Sequence, residues 1–163
     1  QQAAEAGLAV VTCKDPRWAR CDIKTVMLLP ASLAKEQAKA RGAQEAWFID
    51  DSGNVLEGGS SNAWIVTQQN EVVTRPADKA ILRGVTRTTL IDTLEAAGLT
   101  FVERAFTLEE AFAANEAFLT SATNMVMPIV KVDDQMIGNG KPGPVVAQLR
   151  RLFHTVASSE PIT

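Results

Sequence analysis

One largely apolar stretch decides the predicted fold: Arg20-Cys21-Asp22-Ile23-Lys24-Thr25-Val26-Met27-Leu28-Leu29-Pro30. In an extended strand, successive side chains point to opposite faces. Lys24 would then share one face with Val26 and Leu28, and the other face would be apolar as well. Both faces therefore predict burial, as in an interior strand that ends at Pro30.

Lys24 is the residue of chemical interest in this stretch. Burial disfavours the charged form of an ammonium group, which leaves part of the amine neutral. A neutral amine is the nucleophile that carbonyl chemistry requires. The alternative is a lysine at a strand end, whose aliphatic stem is buried while its charge reaches water. The stretch by itself does not distinguish the two.

The composition is that of one globular domain with an ordinary apolar core. The chain has 163 residues, of which 46% are hydrophobic, and a net charge of −3. This charge provides neither a basic surface for nucleic acid nor a polybasic segment for membranes, and no apolar run is long enough to span a bilayer. Cys13, Cys21 and the single histidine, His154, predict neither a disulfide framework nor a metal site. We therefore expect a cytoplasmic protein.

Two features predict that the chain is a piece of a longer protein. It starts at Gln1 without an initiator methionine, and it contains no tyrosine. We expect residues 1–163 to form one domain.

Strands and helices alternate along the chain, and several strands form hairpins, which predicts an α/β fold with a mixed sheet. Thr107 and Glu110 have the spacing of a capping box at a helix start. The apolar spacing of the last helix leaves His154 on its exposed side. Strands are predicted at 7–13, 23–29, 45–50, 55–67 (interrupted at 58–61), 71–74, 101–104, 117–121, 125–132 and 135–137, and helices at 32–41, from about 85 to 98, from 107 and at 145–156.

Three junctions between these elements could carry chemistry. The first is Glu57-Gly58-Gly59-Ser60-Ser61-Asn62, where two glycines permit close approach to the backbone or make a bulge. Glu57 is either a carboxylate at the edge of a buried layer or a solvated turn residue. The second is Gly84-Val85-Thr86 at a helix start, where free N–H groups favour phosphate, as any helix start does. The third, Thr120-Ser121-Ala122-Thr123-Asn124, offers hydroxyls to a phosphate or to its own turn.

In this order, the lysine, E-G-G-S-S-N, L-R-G-V-T-R and T-S-A-T-N resemble the class IV (fold-type IV) pyridoxal-phosphate-dependent aminotransferases. Within that family, the sequence is most similar to the D-amino acid aminotransferases. The similarity runs from about Pro16 to Phe153 and covers only the family's larger, C-terminal domain. It implies a mixed-strand pseudo-barrel surrounded by helices, with the N-terminal domain absent from this chain.

The resemblance also implies a role for each matched residue. Lys24 would hold pyridoxal 5'-phosphate as a Schiff base and move the proton, and Glu57 would keep the pyridine nitrogen protonated. Leu82 would pack against the ring face. The phosphate would bind at the amides of Val85 and Thr86 and at the second turn. The remaining matched positions are Ser121 and Ala122 at that second phosphate turn, where some relatives have threonine in place of Ala122, and Ser60 and Ser61 as weaker contacts to cofactor or substrate.

The implied reaction is transamination between an amino acid, with a D-amino acid such as D-alanine favoured, and a 2-oxo acid, in a homodimer. The stereochemical preference rests on the resemblance alone. A branched-chain aminotransferase or an aminodeoxychorismate lyase of the same family is the alternative. A third possibility is a folded fragment or binding module that is catalytically inert by itself.

Overall fold

The computed structural model describes residues 2–159, without the side chains of residues 95, 96 and 157–159. The ends of the predicted domain, residue 1 and residues 160–163, lie outside the described residues. The elements are α1 (Gln2–Ala6), β1 (Leu8–Lys14), α2 (Leu29–Ala40), β2 (Glu45–Ile49), β3 (Val55–Gly58), β4 (Asn62–Val66), β5 (Glu71–Thr74), α3 (Val85–Ala96), β6 (Thr100–Glu103), α4 (Leu108–Ala113), β7 (Glu116–Ser121), β8 (Met125–Val132), β9 (Gln135–Met136) and α5 (Pro144–Ser159).

Six of the strands close into a ring in the order β3-β2-β1-β8-β7-β4, and the β3–β4 pairing completes it. β1 runs parallel to both of its neighbours, whereas the other pairs of the ring are antiparallel. β5 and β6 extend the sheet outward from β4, and β9 pairs with β8. The predicted α/β fold with a mixed-strand pseudo-barrel is therefore confirmed.

The apolar residues divide into three clusters because strand side chains alternate between two faces. One cluster draws on all six strands of the ring and contains Trp47, whose ring meets Phe106 edge to face at 6.3 Å. A second lies between the sheet and helices α3 and α5. The third lies under α2 and is built around Phe48. Helices thus cover the outer faces of the strands and leave the strand ends open to solvent.

The predicted interior strand at residues 23–29 is wrong. Residues 15–28 form an irregular segment between β1 and α2, and Lys24 is exposed. The apolar residues around it are exposed as well, and Val26 is 96% exposed. The cause of the error is Pro30, which lies in the first turn of α2. Proline fits the first turn of a helix, where its missing N–H has no partner to lose, so it marked a helix start and not a strand end.

A second correction concerns residues 55–67. They are not one interrupted strand: the chain reverses at Gly58–Ser61, and Glu57 pairs with Asn62 across the antiparallel β3–β4 hairpin. The Gly58 N–H donates to the Ser61 carbonyl at 2.7 Å. Helix α1 was not predicted. The described helices include none with the length and apolar character that crossing a membrane requires.

The capping box at Thr107 is confirmed. The Glu110 N–H donates to the Thr107 hydroxyl at 3.1 Å, and the Thr107 N–H donates to the Glu110 carboxylate at 2.9 Å. Helix α5 also buries its predicted stripe, with Val146, Leu149 and Phe153 packed in the second cluster. His154 is exposed, as predicted.

Candidate active site

One cavity of about 480 Å³ opens at the ends of the barrel strands. Its walls come from the segment between β1 and α2, the β3–β4 hairpin, the start of α3 and the end of β7. All nine site residues predicted from the sequence line it: Lys24, Glu57, Ser60, Ser61, Leu82, Val85, Thr86, Ser121 and Ala122. The volume is in the range of pockets that hold small molecules.

Lys24 reaches this cavity from the irregular segment, and it is exposed. The predicted reactivity of Lys24 depended on burial between two apolar strand faces, and this burial is absent. The amine and the Glu57 carboxylate nevertheless line the same cavity. Lys24 therefore owes its place in the site to the path of the segment and not to a strand.

Glu57 is a buried carboxylate surrounded by donors, so the alternative of a solvated turn residue is wrong. Its side chain is 6% exposed and forms an ion pair with Arg17 Nη1. The side-chain amide of Asn62 donates to Oε2 at 3.0 Å, and the Leu82 N–H donates to Oε1 and Oε2 at 3.2 and 3.1 Å. Three donor groups therefore make four hydrogen bonds to the two carboxylate oxygens, which offset the cost of burying the charge.

The protonation of Glu57 is a balance of opposing effects. Burial raises its pKa, whereas the guanidinium of Arg17 and the N–H of Leu82 favour the charged form and lower it. Burial is the larger effect, and the resulting pKa is about 7. The nearby carboxylate of Asp15 adds to the increase. The acid therefore changes its charge near neutral pH.

Arg17 is a site residue that sequence reasoning missed. Burial alone would lower its pKa, but hydrogen bonds to Asp15 and Glu57 outweigh this, and the pKa lies above the ordinary value. Its Nε and Nη2 donate to the Asp15 carboxylate at 2.8 and 2.9 Å. The guanidinium carbon lies 4.3 Å from the centre of the Phe48 ring. No local pattern indicated this role, because Glu57 lies 40 residues further along the chain.

Ser60 and Ser61 line the cavity, but their hydroxyls have partners elsewhere. Both donate to the buried Glu45 carboxylate, at 3.2 Å from Ser60 and 3.0 Å from Ser61. The Lys35 amine donates to the Ser60 hydroxyl at 2.9 Å. This network fixes the hairpin turn. A contact from either serine to a cofactor or substrate stays a prediction.

The opposite wall of the cavity is the start of α3 and the end of β7. Val85 and Thr86 are the first residues of α3, where backbone N–H groups lack helical partners and attract anions. Gly84 precedes them because space is short there: a Cβ at this position would lie 2.5 Å from the Asn62 side-chain oxygen. The Ser121 hydroxyl accepts from the Asn124 N–H at 3.0 Å, so it serves its own turn as well as lining the cavity.

The donor set fits pyridoxal 5'-phosphate. Lys24 provides a primary amine, Glu57 a buried carboxylate, and the start of α3 an anion-binding terminus, all on one cavity. Leu82 is half-buried and adds an apolar side chain to the lining of the same cavity. Asn62, quoted with the first junction but given no role, bridges Glu57 and the Leu82 carbonyl.

Comparisons with known proteins show the family to which this chain belongs. Residues 1–132 match the model of the family described as "Amino-transferase class IV". The chain is 40% identical over 154 residues to a D-alanine aminotransferase of Bacillus licheniformis, in a match that covers 94% of this chain and 54% of that protein. The chain therefore belongs to the class IV aminotransferases. It spans about half the length of the curated relatives that it matches.

Solved structures agree with the family assignment. A branched-chain amino acid aminotransferase of Escherichia coli has a TM-score of 0.87 at 25% identity, covering 99% of this chain and 55% of that one. The PLP-form of the enzyme from Thermobaculum terrenum has a TM-score of 0.85 at 29% identity, covering 92% of this chain and 50% of that one. The resemblance that the sequence motifs indicated is confirmed.

Proposed function

We propose that this chain is the cofactor-binding domain of a pyridoxal 5'-phosphate-dependent aminotransferase, which moves an amino group between an amino acid and a 2-oxo acid. One observation carries the proposal: an amine, a buried acid and a helix start line one cavity. When bound, the cofactor would supply an aldehyde that reacts with amines and a ring that accepts electrons.

The chain's own residues would divide the work. Lys24 would attach the cofactor and carry the proton through its Nζ. Glu57 would pair with the ring nitrogen and favour its protonated form. Leu82 would support the ring face, and the amides of Val85 and Thr86 would hold the phosphate together with Ser121 and Ala122.

We favour a D-amino acid such as D-alanine as the amino donor, because the relatives at up to 40% identity are D-alanine aminotransferases. Branched-chain L-amino acids are the second candidate, since solved structures that match at 25% and 29% identity are branched-chain enzymes. We also propose a cytoplasmic homodimer built on a single domain at residues 1–163. Exposed apolar side chains support an association surface, among them Val26 and Leu29, which are 96% and 67% exposed.

The test begins with attachment of the cofactor. The chain is mixed with pyridoxal 5'-phosphate, reduced with borohydride, digested and examined by mass spectrometry. We expect the label on Lys24, its loss in Lys24→Ala, and no change in Lys39→Ala, which alters an exposed lysine of α2. Equal labelling of several lysines would contradict the proposed site.

Turnover then separates the remaining functions. Transfer from D-alanine to 2-oxoglutarate supports the favoured donor, and transfer from L-leucine alone supports the branched-chain alternative. Specific labelling of Lys24 without transfer from either donor favours a binding module that is inert by itself. Sedimentation of the same sample measures the proposed dimer.

A further inference from the structure

Arg17 is outside the set of nine predicted residues, yet it lines the same cavity and forms a part-buried ion pair with Glu57. We infer that Arg17 is a positioning residue that favours the ionised form of the Glu57 carboxylate and aims it at the cavity. The inference rests on the proposed function for its purpose, because an ionised acid is what a protonated ring nitrogen needs. The contacts that support the inference are all made between residues of this chain.

The orientation of Arg17 is fixed independently of Glu57. Two of its nitrogens donate to Asp15, at 2.8 and 2.9 Å, and Nη2 also donates to the Ala80 carbonyl at 3.2 Å. Its guanidinium carbon lies 4.3 Å from the centre of the Phe48 ring. These contacts leave Nη1 to face Glu57. A planar guanidinium held at several points can fix the direction of a carboxylate, which a flexible lysine does less well.

Among the groups around Glu57, the guanidinium of Arg17 lowers the pKa of this acid most. The other donors, Asn62 and the Leu82 N–H, are neutral. Asp15 is negative and works against ionisation of Glu57. Of the remaining titratable neighbours, Cys21 is a thiol whose pKa is raised by burial, and Lys24 is an exposed amine on the cavity wall. Without Arg17, burial and Asp15 would keep the acid protonated at neutral pH.

The test follows the Glu57 carboxyl directly in the protein without cofactor. Glutamate side chains are labelled with ¹³C, and the Glu57 resonance is assigned by its loss in Glu57→Gln. We expect its titration midpoint near pH 7 in the wild type. In Arg17→Gln we expect the midpoint to rise by at least about one pH unit, a tenfold change in the ionisation ratio.

The control is Arg20→Gln, the same change in an arginine that pairs with Asp22 and does not line the cavity. We expect it to leave the midpoint of Glu57 unchanged, and Arg17→Lys to hold the midpoint closer to the wild-type value than Arg17→Gln does. An unchanged midpoint in folded Arg17→Gln would overturn the inference.

A wild-type measurement covers the case in which Arg17→Gln does not fold. The Arg17 guanidinium ¹H–¹⁵N resonances are followed against pH, and we expect a shift with the same midpoint as Glu57 that disappears in Glu57→Gln. Guanidinium resonances insensitive to pH across that midpoint would overturn the inference. Neither titration uses cofactor or substrate, so the result stands apart from whether the chain transfers amino groups.

Discussion

Two buried carboxylates flank the Gly58–Ser61 turn, and they are satisfied by different chemistry. Glu57 on β3 faces a guanidinium and lines the cavity. Glu45 on β2 lies behind the turn, where its direct hydrogen bonds come from neutral hydroxyl and backbone N–H groups of Ala46, Ser60 and Ser61. One acid lines the cavity of the proposed site, whereas the other holds the turn that borders this cavity.

The difference teaches how a small hairpin can be both rigid and chemically active. A structural carboxylate needs only enough donors to offset its burial. Neutral donors and a nearby cation both favour the charged form of an acid, and Glu57 has both kinds of partner. Sequence position does not reveal this division, since both acids lie in apolar strands.

The largest expected effect concerns the pH dependence of stability. The pKa of Glu57 is about 7 in the folded protein and has an ordinary value of 4.5. Between these values the folded state binds more protons than the unfolded state, so stability falls as pH rises, by about 3 kcal/mol in total. Urea unfolding of the wild type and Glu57→Gln across this window measures it. A constant difference between the two proteins would contradict the expectation.

The second effect tests the structural acid. Glu45→Ala removes the acceptor shared by the Ser60 and Ser61 hydroxyls and leaves the buried Ser61 hydroxyl unsatisfied, at a cost of about 2 kcal/mol. Urea unfolding measures the loss. The control Glu36→Ala, at an exposed position of α2, should cost much less. Equal losses in the two variants would mean that the Glu45 network does not stabilise the turn.

The third effect concerns the turn between the two acids. In Gly58→Ala, the new Cβ would lie 2.2 Å from the Ser61 Oγ, so the turn must move. We expect a loss of roughly 1–2 kcal/mol in thermal or urea unfolding. Gly59→Ala is the matched comparison, because its Cβ would meet the flexible Lys35 side chain at 2.9 Å. A larger loss in Gly59→Ala would contradict this interpretation of the turn.

The smallest effect lies away from both acids. Thr107→Ala removes the N-cap of α4 and should cost about 1 kcal/mol. Thr107→Ser keeps the hydroxyl and should retain most of the stability. The titration midpoint of Glu57 should be the same in both variants. A shifted midpoint would show that global stability, and not the local contacts of Glu57, controls its charge.

Local patterns in the sequence predicted local structure well. The capping box of Thr107 and Glu110 involves residues three apart, so their spacing alone defines the contact. The stripe of α5 and the hairpin turns likewise depend on neighbours along the chain. The strand prediction for residues 23–29 failed because apolar composition indicates a preference for burial but does not show which surface would bury the side chains. Pro30 was interpreted as the end of a strand, but it lies in the first turn of α2.

The candidate site was predicted as a set of residues but not as a network. The nine matched residues line one cavity because the resemblance carried information on their spatial proximity. Asn62 was within a quoted junction and Arg17 within the range of the resemblance, and neither received a role. Both contact Glu57, and these contacts depend on how the strands pair in the folded barrel. Nothing in the residues next to Arg17 indicates a carboxylate 40 positions away.

The ring of strands closes at a single residue pair, Glu57 with Asn62, whereas β7 and β8 share five. Parts of a native protein can open locally without global unfolding, and hydrogen exchange measures the free energy of each opening. The two residues of this seam are the acid of the proposed site and the amide that donates to it. Transient opening of the seam would therefore dismantle the site while the remaining strands stay paired.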